Sequence, residues 1–259
     1  MPRPIHICHV FSSFDPGGPE VRAAALMNLL GRRFRHTIIA ADGRYGAADR
    51  IEPGVAARLV EPPPGKGSLF YGLKMLPLLT SLAPDLVATY NWGAIDAVIA
   101  SSLARAWPVI HSEDGFGVDE IPALKRRRVL ARRVLLPRAY ATLVPSATLL
   151  RIAVEQYRIP PDRVVFVPNG VDLDAFRPGR SSAWRRAAGI PEHTVVIGTV
   201  GALRPEKNLG FLLKAFARAA LFDCVLLVVG DGPCRAELEA QAHRLGLASR
   251  VIFTGSTRR

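Results

Sequence analysis

Short apolar segments alternating with helix-length stretches restrict the fold of this chain more than any other feature. "IHICHVF" (5–11), "HTIIAA" (36–41), "ARLVE" (57–61), "DLVATY" (85–90), "PVIHS" (108–112), "ATLVPS" (141–146) and "VVFVPN" (164–169) have the length and composition of strands. Helical patterns fill most of the intervals, at 19–31, 68–82, 93–105, 120–138 and 146–156. Strand, helix, strand repeated in this way predicts a parallel sheet covered on both faces, a doubly wound α/β domain.

The stretch "NGVDLDAFRPGRSSAWRRAAGIPEHT" (169–194) is dense in Gly, Pro, Ser and charge and carries no sheet signal, as expected of a crossing between domains. The alternation then restarts. "TVVIGTVG" (194–201), a helix at 207–220, "CVLLVVG" (224–230), a helix at 233–246 and "RVIFTG" (250–255) give a second β-α-β-α-β set, its first strand reading as buried. The expected organisation is an N-terminal Rossmann-like domain over 1–175, a crossing over 176–193 and a partial C-terminal domain over 194–259. Too little chain remains for a whole second domain, which ordinarily takes on the order of 100 residues.

A net charge of +12 and a pI near 10.4 favour anionic partners: nucleic acid, an anionic membrane face or phosphorylated substrates. Lysine stands only at 66, 74, 125, 207 and 214, so nearly all the basic residues are arginine. Cys8, Cys224 and Cys234 are scattered without a CxxC pair and read as reduced core thiols of a cytoplasmic protein. His6 and His9 interrupt the apolar start, which removes a signal-peptide reading. No uncharged apolar run approaches the roughly 20 residues of a spanning helix, so the expectation is a cytoplasmic protein, at most peripheral to a membrane.

Three turns between strand and helix carry chemistry. In "FDPGGPEVRAAALMNLL", Gly17 and Gly18 remove side chains where a ligand could approach a helix N-terminus. A plain strand-to-helix turn is the alternative, and the pattern is not the GxGxxG of dinucleotide binding. In "GTVGALRPEKN", Arg204 and Lys207 flank a helix start where both cations can converge on a diphosphate; the alternative is a solvated turn with Arg204 or Lys207 paired to Glu206. In "VVGDGPCRAELEAQAHRLGL", Gly230 and Gly232 lie at the carboxyl end of a strand, where open α/β sheets bind ligands. There the alternative is a tight turn in which Asp231 or a neighbour caps the helix.

Taken in order, "PGGPEVRAAAL", "VPNGVDLDAF", "GTVGALRPEKN", "VVGDGPCRAELEAQAHRLGL" and "RVIFTG" resemble the family 4 retaining glycosyltransferases, which use the two-Rossmann GT-B architecture. The resemblance covers essentially the whole chain. It implies a sugar-nucleotide-dependent transferase that moves a sugar from a nucleoside diphosphate to a glycan or lipid-linked acceptor with retention. It places Gly17 and Gly18 near the donor diphosphate and acceptor, and Arg204 and Lys207 on the leaving diphosphate. Gly230, Gly232, Gly255, Ser256 and Thr257 fall where backbone groups hold the nucleotide. No cofactor or metal is implied, because two cations and a helix dipole do the electrostatic work; the six histidines show no ligand spacing.

Two departures from the family pattern stand out. Where members carry a His in a "T-E-H" context, "PVIHSEDG" has Asp114, with His111 three residues earlier; either is a candidate for the acceptor or the reacting sugar, and His111 reads equally as a strand-end residue satisfied by backbone. The family's E-x7-E segment is absent, and Glu113 and Glu120 in the N-terminal half are no substitute. A catalytically incomplete sugar-nucleotide or acceptor-binding fragment is therefore the alternative reading. Finally, "KRRRVLARRVLLPRAY" (125–140) sets basic and apolar residues on one helix, which suits peripheral contact with an anionic membrane through Lys125 to Arg138. A helix packed on the sheet with arginines outside is the other reading. Nucleic acid fits poorly, since no aromatics interleave with the cations for base stacking.

Overall fold

The computed structural model describes residues 3–68, 70–116, 120, 123–179, 182–219, 221 and 223–256. The chain forms two compact units, Met1–Gly170 and Val171–Arg259. The first holds a seven-stranded sheet in the order β3-β2-β1-β4-β5-β6-β7, and every pairing in it is parallel. The strands are β1 (Ile5–Phe11), β2 (Phe34–Ala40), β3 (Ala57–Leu59), β4 (Leu86–Tyr90), β5 (Val109–Ser112), β6 (Ala141–Val144) and β7 (Val164–Phe166). The helices are α1 (Gly18–Leu30), α2 (Tyr71–Leu82), α3 (Ile95–Ala104), α4 (Arg126–Leu135) and α5 (Ala147–Arg151). The last continues as a π turn, Ile152–Gln156.

Period-two alternation along β1 and β2 distributes this core to both faces. Phe11 and Ile38 pack with Ala23, Ala24 and Met27 of α1. Cys8, Val10 and Ile39 join Tyr71, Met75 and Leu79 of α2 and Val98 of α3. The strand order reverses between β1 and β4, and in an open parallel sheet the crevice at the carboxyl ends of such a pair is where ligands bind.

The described residues of 169–194 include a short helix, α6 (Ser182–Ala187), and an Asp172 turn in which its carboxylate accepts from the amides of Asp174 and Ala175. The second unit continues with β8 (Val195–Val200), α7 (Leu209–Arg218), β9 (Cys224–Val229), α8 (Arg235–Arg244) and β10 (Val251–Gly255), in a parallel sheet ordered β10-β9-β8. Leu226 and Val228 of β9 pack with Leu213 and Phe216 of α7 and Leu238 and Ala242 of α8. The expectation of a buried β8 is corrected here. It is an edge strand, with Val195 exposed and Val200 82% exposed, because pairing and helix cover concentrate on β9. All three cysteines are free thiols, and burial pushes that of Cys8 up to about 12. Among the described residues no helix is long and apolar enough to cross a membrane.

A buried histidine cluster sits within the first sheet. His9 and His36 face each other through Nε2 and Nδ1 at 3.0 Å, and His9 Nδ1 lies 3.0 Å from the Tyr90 hydroxyl. Only one proton fits between the two facing nitrogens, so charging both rings sets donor against donor. Burial, then the neighbouring rings of His36 and His6, pulls His9 down to about 3. Burial likewise lowers His6, with Arg35 and Arg58 adding to the effect against Asp85, and it lowers His36. The unfolded chain therefore binds more protons below about pH 6.5, and stability falls as pH drops through that range. Urea unfolding at stepped pH should show His9→Phe with a flatter decline than the parent between pH 6 and pH 4, by up to about 1.4 kcal/mol per pH unit. Equal slopes would mean that His9 does not govern acid sensitivity.

Candidate functional site

In the first unit the switch point is built from the loops that follow β1, β4 and β5. The backbone of Asn91, directly after β4, has φ 55 and ψ −176, a region almost reserved for glycine. Two hydrogen bonds hold it there: its amide donates to the Ser112 carbonyl at 2.8 Å, and its Oδ1 accepts from the Asp114 amide at 2.7 Å. Strain of this kind persists only where the surroundings over-determine it, and it clusters at functional sites. Gly93 lets the turn close, since a Cβ there would lie 2.3 Å from Ser12 Cβ.

Asp114 projects from this turn and is paired by both oxygens with Arg22 of α1, at 2.7 and 2.8 Å; Arg22 also donates to Asn169 Oδ1. Gly17 and Gly18 open the same helix, one turn before Arg22. A Cβ at Gly17 would meet the carboxylate of Glu20, whereas one at Gly18 would meet nothing within 4 Å. The helix has no side-chain cap, and Glu20 occupies its first turn. Lys66 joins the group from the Pro-rich loop, donating to the Ser12 carbonyl at 2.7 Å and to its hydroxyl at 2.9 Å, with its pKa lowered by burial. Sequence reasoning missed Lys66; positive-φ glycines on either side, Gly65 and Gly67, were the available signal that the loop folds back sharply.

His111 does not share this surface. Its ring is buried, with Nδ1 2.8 Å from Thr89 Oγ1 and Nε2 3.5 Å from Glu113 Oε2. It belongs to an ionic cluster beneath the site. Arg132 of α4 is fully buried and grips both oxygens of Glu113, Nε and Nη2 each donating at 2.9 Å. Its guanidinium lies between Trp92 and Tyr157, each ring centroid 5.1 Å away. Arg128 donates to Glu120 at 2.8 Å and also stacks on Trp92. Burial alone would raise the Glu113 carboxyl, but His111 and Arg132 outweigh it and hold the group below the usual range. The basic helix is thus divided differently from the expectation. Arg132 and Leu136 are buried, while Leu130 and Val134 face outward beside Arg126, Arg127 and Arg133, because the acidic residues lie inside.

In the second unit, Arg204 is 58% exposed and stands 4.0 Å from Glu206, a loose pair. Lys207 follows in the same turn and lines a cavity of 70 Å³ with Thr199, Gly201 and Leu209. Asn208, at φ 48, starts α7 without a side-chain cap, so the first amides of the helix have no side-chain acceptor. Gly230 and Gly232 serve backbone contact rather than open space. A Cβ at Gly230 would lie 2.0 Å from the Gly201 carbonyl oxygen, and one at Gly232 would lie 2.5 Å from that of Leu203. Asp231 accepts from the Gly232 amide and pairs with Arg235, while Cys234, the residue before α8, provides no side-chain cap. The Gly230 amide donates to the carbonyl of Gly255, which has φ 73, and Ser256 is exposed beyond it. Thr257 lies outside the described residues.

Comparison with known proteins gives a consistent result. Residues 17–170 match the glycosyl transferase 4-like domain and residues 181–259 match the glycosyl transferases group 1. The D-inositol 3-phosphate glycosyltransferase of Stackebrandtia nassauensis is 31% identical over 189 residues, 65% of this chain and 42% of that protein. The one from Mycobacterium avium is 27% identical over 92% of this chain and 62% of its own length. The chain therefore spans less than two thirds of either relative. Among solved structures, HepE of Anabaena in complex with UDP and glucose superposes with a TM-score of 0.79 at 21% identity, covering 98% of this chain and 70% of that one. A glycosyltransferase from Rickettsia africae gives 0.72 at 15%, over 98% and 69%. These likenesses show the two-Rossmann fold.

Removing one partner of the buried fork should be costly and removing both should not. Arg132→Met leaves the Glu113 carboxylate buried with only the His111 ring, 3.5 Å away, beside it, and should lower stability by about 3–5 kcal/mol, with most of that recovered in Arg132→Met/Glu113→Leu. Denaturant melts of the two variants decide it; a double variant no more stable than the single would contradict the pairing. In the other unit, Gly230→Ala should cost about 1–3 kcal/mol, because its methyl must displace a carbonyl. Unchanged unfolding of that variant would contradict the close approach.

Proposed function

This chain belongs to the glycosyl transferase 4-like and group 1 families, and from that premise we propose that it moves a sugar from a nucleoside diphosphate to a glycan or lipid-linked acceptor with retention. One observation carries the reading: two sparsely paired cations, Arg204 and Lys207, flank the uncapped start of α7. A diphosphate there gains charge-assisted hydrogen bonds from both side chains and the positive end of a ten-residue helix. Each of these terms grows as the sugar departs and charge accumulates on the phosphate, so together they favour bond cleavage over mere binding. In this reading no divalent ion is required, and a chelator leaves turnover unchanged.

The backbone groups around Gly230, Gly255 and Ser256, with Thr257 and Gly232, hold the nucleoside. The UDP bound by the structurally similar HepE supports a uridine nucleotide as the first donor to test. On the acceptor side the geometry favours Asp114 over His111, because the Asp114 side chain keeps 11% of its surface exposed whereas His111 is fully enclosed. Arg22 orients the Asp114 carboxylate, and the strained Asn91 fixes its backbone; Gly18 leaves the start of α1 open to the substrates, with the Glu20 carboxylate beside Gly17.

The outward stripe of α4, with Leu130 62% exposed and Val134 also exposed among Arg126, Arg127 and Arg133, would rest on an anionic membrane. A lipid-linked acceptor suits such a contact, and the protein would be cytoplasmic and peripheral.

Arg204→Ala should weaken UDP binding at least about tenfold, the loss of a hydrogen bond between charged groups, without moving the unfolding midpoint. Calorimetry that finds unchanged affinity would remove Arg204 from the donor site. Asp114→Asn should leave nucleotide affinity intact while acceptor-dependent turnover falls. Turnover equal to the parent would remove Asp114 from the reaction.

A further inference from the structure

A cavity in the first unit lies away from Asp114, at the opposite end of the strands. It is a groove of 1040 Å³ at the amino ends of β5, β6 and β7, bounded by the end of α3, the turn after α4 and the turn before β7. Three guanidinium groups line it, those of Arg105, Arg138 and Arg163, against a single carboxylate, Asp162. Two of them also brace the walls: Arg163 donates to the carbonyls of Pro137 and Ala139, and Arg138 donates to that of Val134. Arg105 is different. Its backbone caps α3 in a left-handed conformation, φ 50, and its exposed side chain makes no hydrogen bond or ion pair among the described residues.

A second, independent feature lies deeper. Ser101 is only 2% exposed, lines the same groove, and its hydroxyl has no hydrogen-bond partner. A buried hydroxyl left unpaired costs free energy that a ligand oxygen would restore. At the rim stand Trp107 and Tyr140, the latter 72% exposed, with Leu103 and Val134 also exposed nearby in sequence. Amphipathic rings beside aliphatic side chains and arginines form the composition of a surface at a membrane interface, where one end of each ring is apolar and the other wet. Val134 is one helical turn before Arg138, so the outward stripe of α4 runs into the groove. A soluble anion would account for the arginines but not for this apolar border.

We propose that the groove receives the phosphate of an anionic phospholipid headgroup, with Arg105 as its principal cation, the Ser101 hydroxyl as the inner donor, and Tyr140 and Trp107 at the level of the headgroups. The proposal rests on the membrane contact of α4 and is independent of sugar transfer. Because a crossover helix runs antiparallel to the strands it joins, α4 starts near the acceptor-side turn and ends at this groove. A lipid held here would set α4 along the membrane, with the Asp114 turn at its other end.

Flotation of the full chain with phosphatidylglycerol–phosphatidylcholine vesicles, against phosphatidylcholine alone, tests this. The parent should float only with the anionic vesicles. Arg105→Glu should lose at least about tenfold in apparent affinity, since each basic residue at the surface contributes on the order of 1 kcal/mol. Arg33→Glu, an equal charge change on an exposed residue outside the groove, should lose clearly less. Equal losses, or no loss in Arg105→Glu, would overturn the groove while leaving the α4 contact standing. That contact is tested separately by Leu130→Ser/Val134→Ser, and a parent that ignores anionic vesicles would overturn both. Glycerol 1-phosphate that binds the parent, loses binding in Arg105→Glu and is unaccompanied by flotation would overturn the lipid in favour of a soluble phosphate. Donor hydrolysis should be unchanged in Arg105→Glu, which separates this site from the transfer reaction.

Discussion

Two charges held out of water fix the geometry of the first unit. Arg132 and Glu113 are both buried, and neither could remain so alone, because an unpaired ion in that position costs several kcal/mol. The fork therefore ties α4 to the residue immediately before Asp114. Trp92, stacked on the same guanidinium, ties in the residue immediately after Asn91. The two loops joined where the Asp114 amide donates to Asn91 Oδ1 are thus anchored from below by one cation. An apolar cluster could fill the space equally well, but it would not dictate which way the loops turn. That division of labour accounts for a strained Asn91 lying directly above a buried ion pair.

The second unit solves its positioning problem by other means. Its loops are drawn together by backbone approach, with Gly230 and Gly232 pressed against the carbonyls of Gly201 and Leu203. The Leu203 amide donates to the Asp231 carbonyl, and the Cys234 amide to that of Leu203. Little side-chain charge is spent on this framework, so Arg204 and Lys207 remain available for a ligand. The first unit buries one arginine, Arg132, to hold a turn, and the second leaves Arg204 and Lys207 exposed.

Much of this architecture was legible from periodicity. Apolar alternation located the strands and most of the helices, because each crossover in a parallel sheet needs a buried strand and a helix with one apolar face. Edge strands broke the rule: β8 is as apolar as a central strand yet largely exposed, since composition does not record which neighbours a strand has. The α4 segment misled for a related reason. Its arginines read as a solvated face, but Glu113 and Glu120 lie far enough upstream that their pairing with Arg132 and Arg128 depends on tertiary contact. Asp114 and Arg22, 92 residues apart, meet for the same reason, and only Asp114 was visible as a candidate. Lys66 was hidden by a loop whose course depends on two positive-φ glycines. Gly230 and Gly232 were found as a motif, but their physical role, contact between loops, required coordinates.

The central claim is that a nucleoside diphosphate docks on the turn between β8 and α7. Amide hydrogen exchange of the full chain with and without saturating UDP addresses it most directly. The account expects slowed exchange over 201–213, where the first amides of α7 would gain phosphate acceptors, with smaller effects near Gly230 and Gly255. Saturable binding that leaves those amides unchanged, or that protects only the loops around Asn91 and Asp114, would contradict it.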